Sequence, residues 1–174
     1  MTFAGSDRRA AFEEVMRAQE RRVLGVACRL LGRLEDAQDA SQEVFLRLYR
    51  NLNKVGASGN LSGWLYRVTV NVCHDVGRKR PVSAPAEDAA GLPAPGADPQ
   101  RAAIATERRR ALEMSLRMLS EKERAVLVLR DLEGLSTEEV ARALGTTEAT
   151  VRSQLSKARV KAKDFLERYF RRRT

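Results

Sequence analysis

Residues 135–163 read LSTEEVARALGTTEATVRSQLSKARVKAK, and this stretch decides the fold of the C-terminal half. Ser136 stands where an N-cap belongs, Glu139 is its capping-box partner, and Leu135 and Val140 occupy the two positions of a hydrophobic staple. Val140, Ala141 and Leu144 give that helix an inward face. Gly145 sits where a left-handed residue stops one helix and redirects the chain. Thr147 then caps a second helix, whose apolar positions Val151, Leu155, Ala158 and Ala162 fall on one face. Two helices joined by so short a turn form a helix-turn-helix, in which the second helix enters the major groove of DNA. The apolar face leaves Arg152, Ser153, Ser156, Lys157 and Val160 pointing outward. Arg152 suits a guanine or a phosphate, Ser153 and Gln154 suit base edges, and Lys157 and Arg159 suit phosphates. From 147 to 174 there are nine basic residues and three acidic ones.

The rest of the chain agrees with a helical protein that meets a polyanion. Its 174 residues are 43% hydrophobic but only 5% aromatic, which suits small Leu/Val/Ala cores between helices. Lysine and arginine outnumber aspartate and glutamate by 32 to 23, a formal charge of +9 that favours nucleic acid or an anionic surface. Cys28 and Cys73 lie in apolar helical stretches with no CxxC pair and only one histidine, His74, in the chain, so they read as buried thiols rather than zinc ligands or a disulfide framework. His74 reads as a surface residue. No nucleophile stands beside a base and no carboxylates have metal-ligand spacing, so no catalytic residue, metal, cofactor or small-molecule substrate is expected. With no leader pattern and no long apolar run, the expected location is the cytoplasm.

All five prolines fall between Pro81 and Pro99, in PVSAPAEDAAGLPAPGADP, a stretch without a basic or aromatic residue. Such a composition buries too little apolar surface to offset its ordering entropy, so 81–100 reads as a flexible tether between two domains, 1–80 and 101–174. Before it, apolar periodicity predicts helices over 7–31, from 34 to about 50, and over 61–80. The first buries Phe12, Val15, Met16, Val23, Val26, Ala27 and Leu30; the second buries Ala37, Val44, Phe45, Leu48 and Leu52 and lines another face with Asp36, Asp39 and Glu43. Between the second and third, NLNKVGASGN at 51–60 is rich in turn formers and is expected to break the helix. After the tether, 100–118 and 120–132 read as helices, the latter opened by Ser120 and Glu123 as a second capping box. The fold class is therefore all-α: two small helical domains, the C-terminal one containing the helix-turn-helix.

These residues carry a family resemblance. The segment LSEKERAVLVLRDLEGLSTEEVARALGTTEATVRSQLSKARVKAK resembles the fourth conserved region of bacterial RNA polymerase sigma factors, which binds the upstream promoter element. DAQDASQEVFLRLYR resembles the polymerase-binding helix of the second region, and LSGWLYRVTVNVCHDVGRKR its promoter-melting helix. With these two regions and a short tether the chain resembles an extracytoplasmic function (ECF) sigma factor of the sigma-70 family. The resemblance implies that Asp39, Gln42, Glu43 and Phe45 face the clamp helices of core RNA polymerase. It implies that Trp64 and Tyr66 mark the motif, that Asn71 receives a flipped-out base beside a pocket shaped by the 53–60 loop, and that Arg78, Lys79 and Arg80 hold backbone phosphates of the proximal element. Thr150, Arg152, Ser153, Gln154, Ser156 and Lys157 become the upstream-element contacts. The partners implied are core polymerase, promoter DNA and a cognate anti-sigma factor, in many members bound to the membrane and holding the sigma factor at its inner face. The competing reading is a stand-alone helix-turn-helix transcriptional regulator, which would bind duplex promoter DNA without polymerase.

Overall fold

The computed structural model describes residues 5–79 and 99–172. Arg80 and nearly all of the stretch read as a tether lie outside the described residues; Pro99 and Gln100, at its end, begin a helix. In chain order the elements are α1 (Gly5–Leu31), α2 (Leu34–Ser58), α3 (Leu61–Arg78), α4 (Pro99–Arg117), α5 (Glu121–Leu127) with a π-helical continuation (Val128–Leu132), α6 (Thr137–Leu144) and α7 (Glu148–Arg171). There is no strand among the described residues, and no helix among them is long and apolar enough to cross a membrane.

Helices α1, α2 and α3 pack around Val23, Ala27, Val44, Leu48, Leu65 and Val72. Of the expected α1 core, Val23, Val26 and Ala27 are buried, while Phe12, Val15, Met16 and Leu30 are only partly so. The expected break at 51–60 does not occur. Helix α2 continues to Ser58 and ends at Gly59, which adopts φ +66°, so that Gly59 and Asn60 alone connect α2 to α3. The reason is burial: Leu52 and Val55 extend the apolar face of Leu48 by about two more turns. That outweighs the roughly 1 kcal/mol by which a helical glycine such as Gly56 disfavours the helix. Asn60 caps α3, its side chain accepting the Gly63 amide at 3.0 Å.

Both expected capping boxes form. The Ser120 hydroxyl accepts from the Glu123 amide at 3.3 Å while the Glu123 carboxylate accepts from the Ser120 amide at 3.0 Å. Ser136 and Glu139 repeat the arrangement at 3.2 and 2.7 Å. Where one helix was expected over 120–132, α5 widens after Leu127 into the π-helical turn, closed by the Glu133 amide donating to Val128 O at 2.9 Å. Val128 and Leu129 are fully buried there, and Gly134 at φ +76° leads out of the turn. The second core joins Leu116, Leu129, Val140, Val151, Leu155 and Ala158.

The two halves pack against each other. Val26 of α1 and Tyr66 of α3 belong to the second core. Arg124 of α5, half-buried, donates to the carbonyls of Leu116 at 2.8 Å, Leu119 at 3.1 Å and Arg117 at 3.5 Å, and across the interface to Leu30 at 2.7 Å. Arg117 reaches Gly32 O at 3.3 Å. Two guanidinium groups of the C-terminal half thus satisfy carbonyls at the C-terminal end of α1, where unpaired carbonyls and the negative end of the helix dipole meet.

Candidate nucleic-acid and protein interfaces

Helix α7 owes its start to Thr147, whose hydroxyl accepts the Thr150 amide at 3.2 Å and lies 2.9 Å from the Thr150 hydroxyl. Gly145, at φ +61°, closes α6, and the Thr146 amide returns to Ala141 O at 3.0 Å. The pair is held by Val140, Val151 and Ala158, all without exposure. Of the six residues expected to read the upstream element, Thr150, Arg152, Ser153, Ser156 and Lys157 are exposed and Gln154 is half-buried. Arg152 makes one exposed ion pair, to Glu148 at 3.0 Å, an interaction of small worth that a phosphate or base can replace.

Ion pairs hold both flanks of α7. On one side Arg159 donates twice to Asp131 of the π-helical turn, at 2.8 and 2.7 Å. On the other, Lys161 donates to both oxygens of the buried Glu123, at 2.7 and 2.9 Å. Hydrogen bonds from Lys161 first, and from the Ser120 amide second, hold the Glu123 carboxyl below the usual carboxylate range. The Arg159 guanidinium does the same for Asp131. Arg159, expected from sequence among the phosphate contacts, is paired to a carboxylate of its own chain while its side chain stays 57% exposed. Local sequence did not mark Asp131 as the partner of Arg159 or Glu123 as that of Lys161, because they lie 28 and 38 residues away.

On α3, Asn71 and Arg78 are exposed, as is Lys79 at its C-cap, whereas Tyr66 is buried and Trp64 half-buried. Tyr66 reaches the C-terminal half. Its hydroxyl donates to Glu133 at 3.0 Å, and burial, reinforced by the Glu133 charge, pushes its pKa up to about 12. Glu133 also receives Arg29 of α1, so one carboxylate joins α1, α3 and the end of the π-helical turn. His74 is exposed and stands 3.4 Å from Glu121 of α5. Cys73 is buried and Cys28 partly so, both free; desolvation raises the Cys73 pKa to about 12 and that of Cys28 in the same direction. A thiol held protonated at neutral pH is a poor nucleophile and metal ligand.

On α2, Asp39 and Gln42 are exposed, Glu43 is half-buried and paired to Arg47 at 2.7 Å, and Phe45 is buried. Asp39, Gln42 and Phe45 line a groove of about 670 Å³ between α1 and α2, whose floor includes Phe12, Met16 and Leu24. Leu46, 52% exposed, forms part of its edge. An apolar floor with acidic and amide groups at its rim fits an amphipathic helix of another protein. Among the described residues no group of histidine, cysteine or acidic side chains is placed to hold a metal ion.

Comparison with known proteins returns the same two halves. The family model described as Sigma-70 region 2 matches residues 15–81, and that described as Sigma-70, region 4 matches residues 109–161. The chain is 34% identical over 162 residues to the ECF RNA polymerase sigma factor SigE of Mycolicibacterium smegmatis, a match covering 91% of the chain and 63% of that relative. It is 35% identical over 156 residues to the ECF RNA polymerase sigma factor SigM of Mycobacterium tuberculosis, covering 88% of the chain and 76% of the relative. Among solved structures it resembles the sigma factor RpoE of Bartonella quintana, crystallised in complex with the anti-sigma factor NepR. That match has a TM-score of 0.73 and 21% identity and covers 90% of this chain and 97% of the other.

Proposed function

The chain belongs to the extracytoplasmic function sigma factors of the sigma-70 family, and from that we propose that it directs bacterial core RNA polymerase to promoters through two modules. Residues 1–80 bind polymerase and the proximal promoter element, residues 101–174 read the upstream element, and 81–100 join them. Its work is binding; it is not an enzyme.

Asp39, Gln42, Glu43 and Phe45, with the α1–α2 groove, form the polymerase-facing surface. Asn71 takes an extruded base, and Arg78, Lys79 and Arg80 hold the neighbouring phosphates, offsetting the few kcal/mol that unstacking costs. Thr150, Arg152, Ser153, Gln154, Ser156 and Lys157 meet the upstream element. The observation that carries the reading is the exposed polar and basic face of α7, set on a helix-turn-helix that is capped at both starts and braced on both flanks. Docking either module makes the second contact intramolecular, which multiplies the affinity of two weak readers.

A cognate anti-sigma factor covers these surfaces when the protein is idle. The fold shared with RpoE of Bartonella quintana, solved with its anti-sigma factor, supports that partner. The site of action is the cytoplasm, with the anti-sigma factor holding the chain at the inner face of the membrane.

Replacing Arg152 and Lys157 together by alanine tests the division of labour. Run-off transcription should fall at least tenfold while binding to core polymerase, read by native gel, is retained. Equal loss of both would contradict the assignment of α7 to DNA.

A further inference from the structure

Arg152 and Arg159 are seven residues apart, which on an α-helix places them within about 20° of one another on the same flank of α7. Ser156 lies between them and Lys163 continues the stripe. Two arginines share the flank that leads into the candidate DNA-reading face, yet the fold treats them differently. Arg152 makes a single contact to Glu148 within its own helix. Arg159 is held by two parallel bonds to Asp131, whose carboxylate is mostly covered at 27% side-chain exposure. Bidentate pairing of this kind matches the geometry with which arginine grips a phosphate. The carboxylate is fixed in place because the π-helical turn that carries Asp131 is anchored by the buried Val128 and Leu129.

We infer that Asp131 is a specificity-determining residue: it occupies Arg159 as a phosphate would and so removes one sequence-independent contact from the recognition helix. This rests on the reading of α7 as the DNA-reading helix. Phosphate contacts raise affinity for every sequence alike, whereas base contacts separate one sequence from another. A helix with Arg152, Lys157 and Lys163 at its exposed face already carries cations enough for non-specific attraction. Holding Arg159 back keeps the ratio of specific to non-specific binding high, and the same bond fixes the angle at which α7 leaves the turn.

The test is the salt dependence of binding by the full chain to a duplex of arbitrary sequence, read by fluorescence anisotropy. Each phosphate contact contributes about 0.9 to the slope of log affinity against log salt. Asp131→Asn should bind that duplex several-fold more tightly at low salt and steepen the slope by about 0.9. Arg159→Ala should leave the wild-type slope unchanged, and the double variant should restore it. Asp131→Glu, which keeps the charge, should behave as wild type, separating charge from shape; circular dichroism confirms that each variant is folded. A slope that falls by about 0.9 in Arg159→Ala, or does not change in a folded Asp131→Asn, would overturn the inference. Failure of the reading itself looks different: the wild type would direct no promoter-dependent initiation with core polymerase, whatever the slopes.

Discussion

Arg124 shows how much one side chain can hold together. Its guanidinium satisfies three carbonyls around the α4–α5 corner and one at the end of α1, so its loss leaves acceptors unpaired on both sides of the interface. Arg124→Ala should lower stability by about 2–3 kcal/mol, on the usual cost of orphaning buried acceptors of a charged donor. Calorimetry measures this, and an unchanged Tm would show the carbonyls content with water. Arg124 was not legible in the sequence: it sits in SEKERAVL as one more polar residue of a helix, and nothing local announces a partner 94 residues away. The exposed face of α7 was legible, since periodicity alone separates Arg152, Ser153, Ser156 and Lys157 from the buried Val151, Leu155 and Ala158. Phe45 and Tyr66 lie between these cases. Both were placed in the motifs, and periodicity put Phe45 on the buried face of its helix, but only packing reveals that the Tyr66 ring is buried as well.

At the level of elements, cap chemistry was the most readable signal, because a capping box is satisfied within three residues and needs no tertiary information. Ser120–Glu123, Ser136–Glu139 and Thr147 all cap as the sequence indicates. Gly145 tests the turn: the space around it is open, so Gly145→Ala meets no clash and suffers only the left-handed strain of φ +61°, about 1–2 kcal/mol. Urea titration should show that loss without a change in m-value. The errors arose where packing overrode local preference. Turn formers at 51–58 stay helical because Leu52 and Val55 are buried, and the π-helical turn has no composition that marks it. Glu123 also makes a pH prediction. Its folded pKa is depressed, so its contribution is full above the ordinary carboxylate value of about 4.3 and is lost as pH falls through the lower folded value. Thermal melts of wild type and Glu123→Gln should therefore differ most at neutral pH and converge in acid. A constant difference down to pH 3 would detach the Lys161 bond from stability.

Across the whole molecule, the all-α class and the order of the two halves were legible, and their mutual packing was not. Residues 81–100 suggested two bodies joined only by a tether, whereas Tyr66, Arg29 and Glu133 join α1 and α3 to the C-terminal half. Those bonds connect residues 67 and 104 positions apart, a separation at which helix periodicity carries no information. Two readers on one body suit separate promoter elements only if the body opens. Labels at Asp75 of α3 and Arg142 of α6, exposed residues on two helices that pack against each other, should move apart when the promoter complex forms, measured by energy transfer. Unchanged transfer would mean that the packed arrangement is itself the promoter-bound one. The central claim is tested most directly by run-off transcription with purified core RNA polymerase on a promoter library. The account predicts initiation at a defined subset of sequences, abolished by Arg152→Ala with Lys157→Ala; a folded chain that directs no initiation beyond that of core enzyme alone would contradict it.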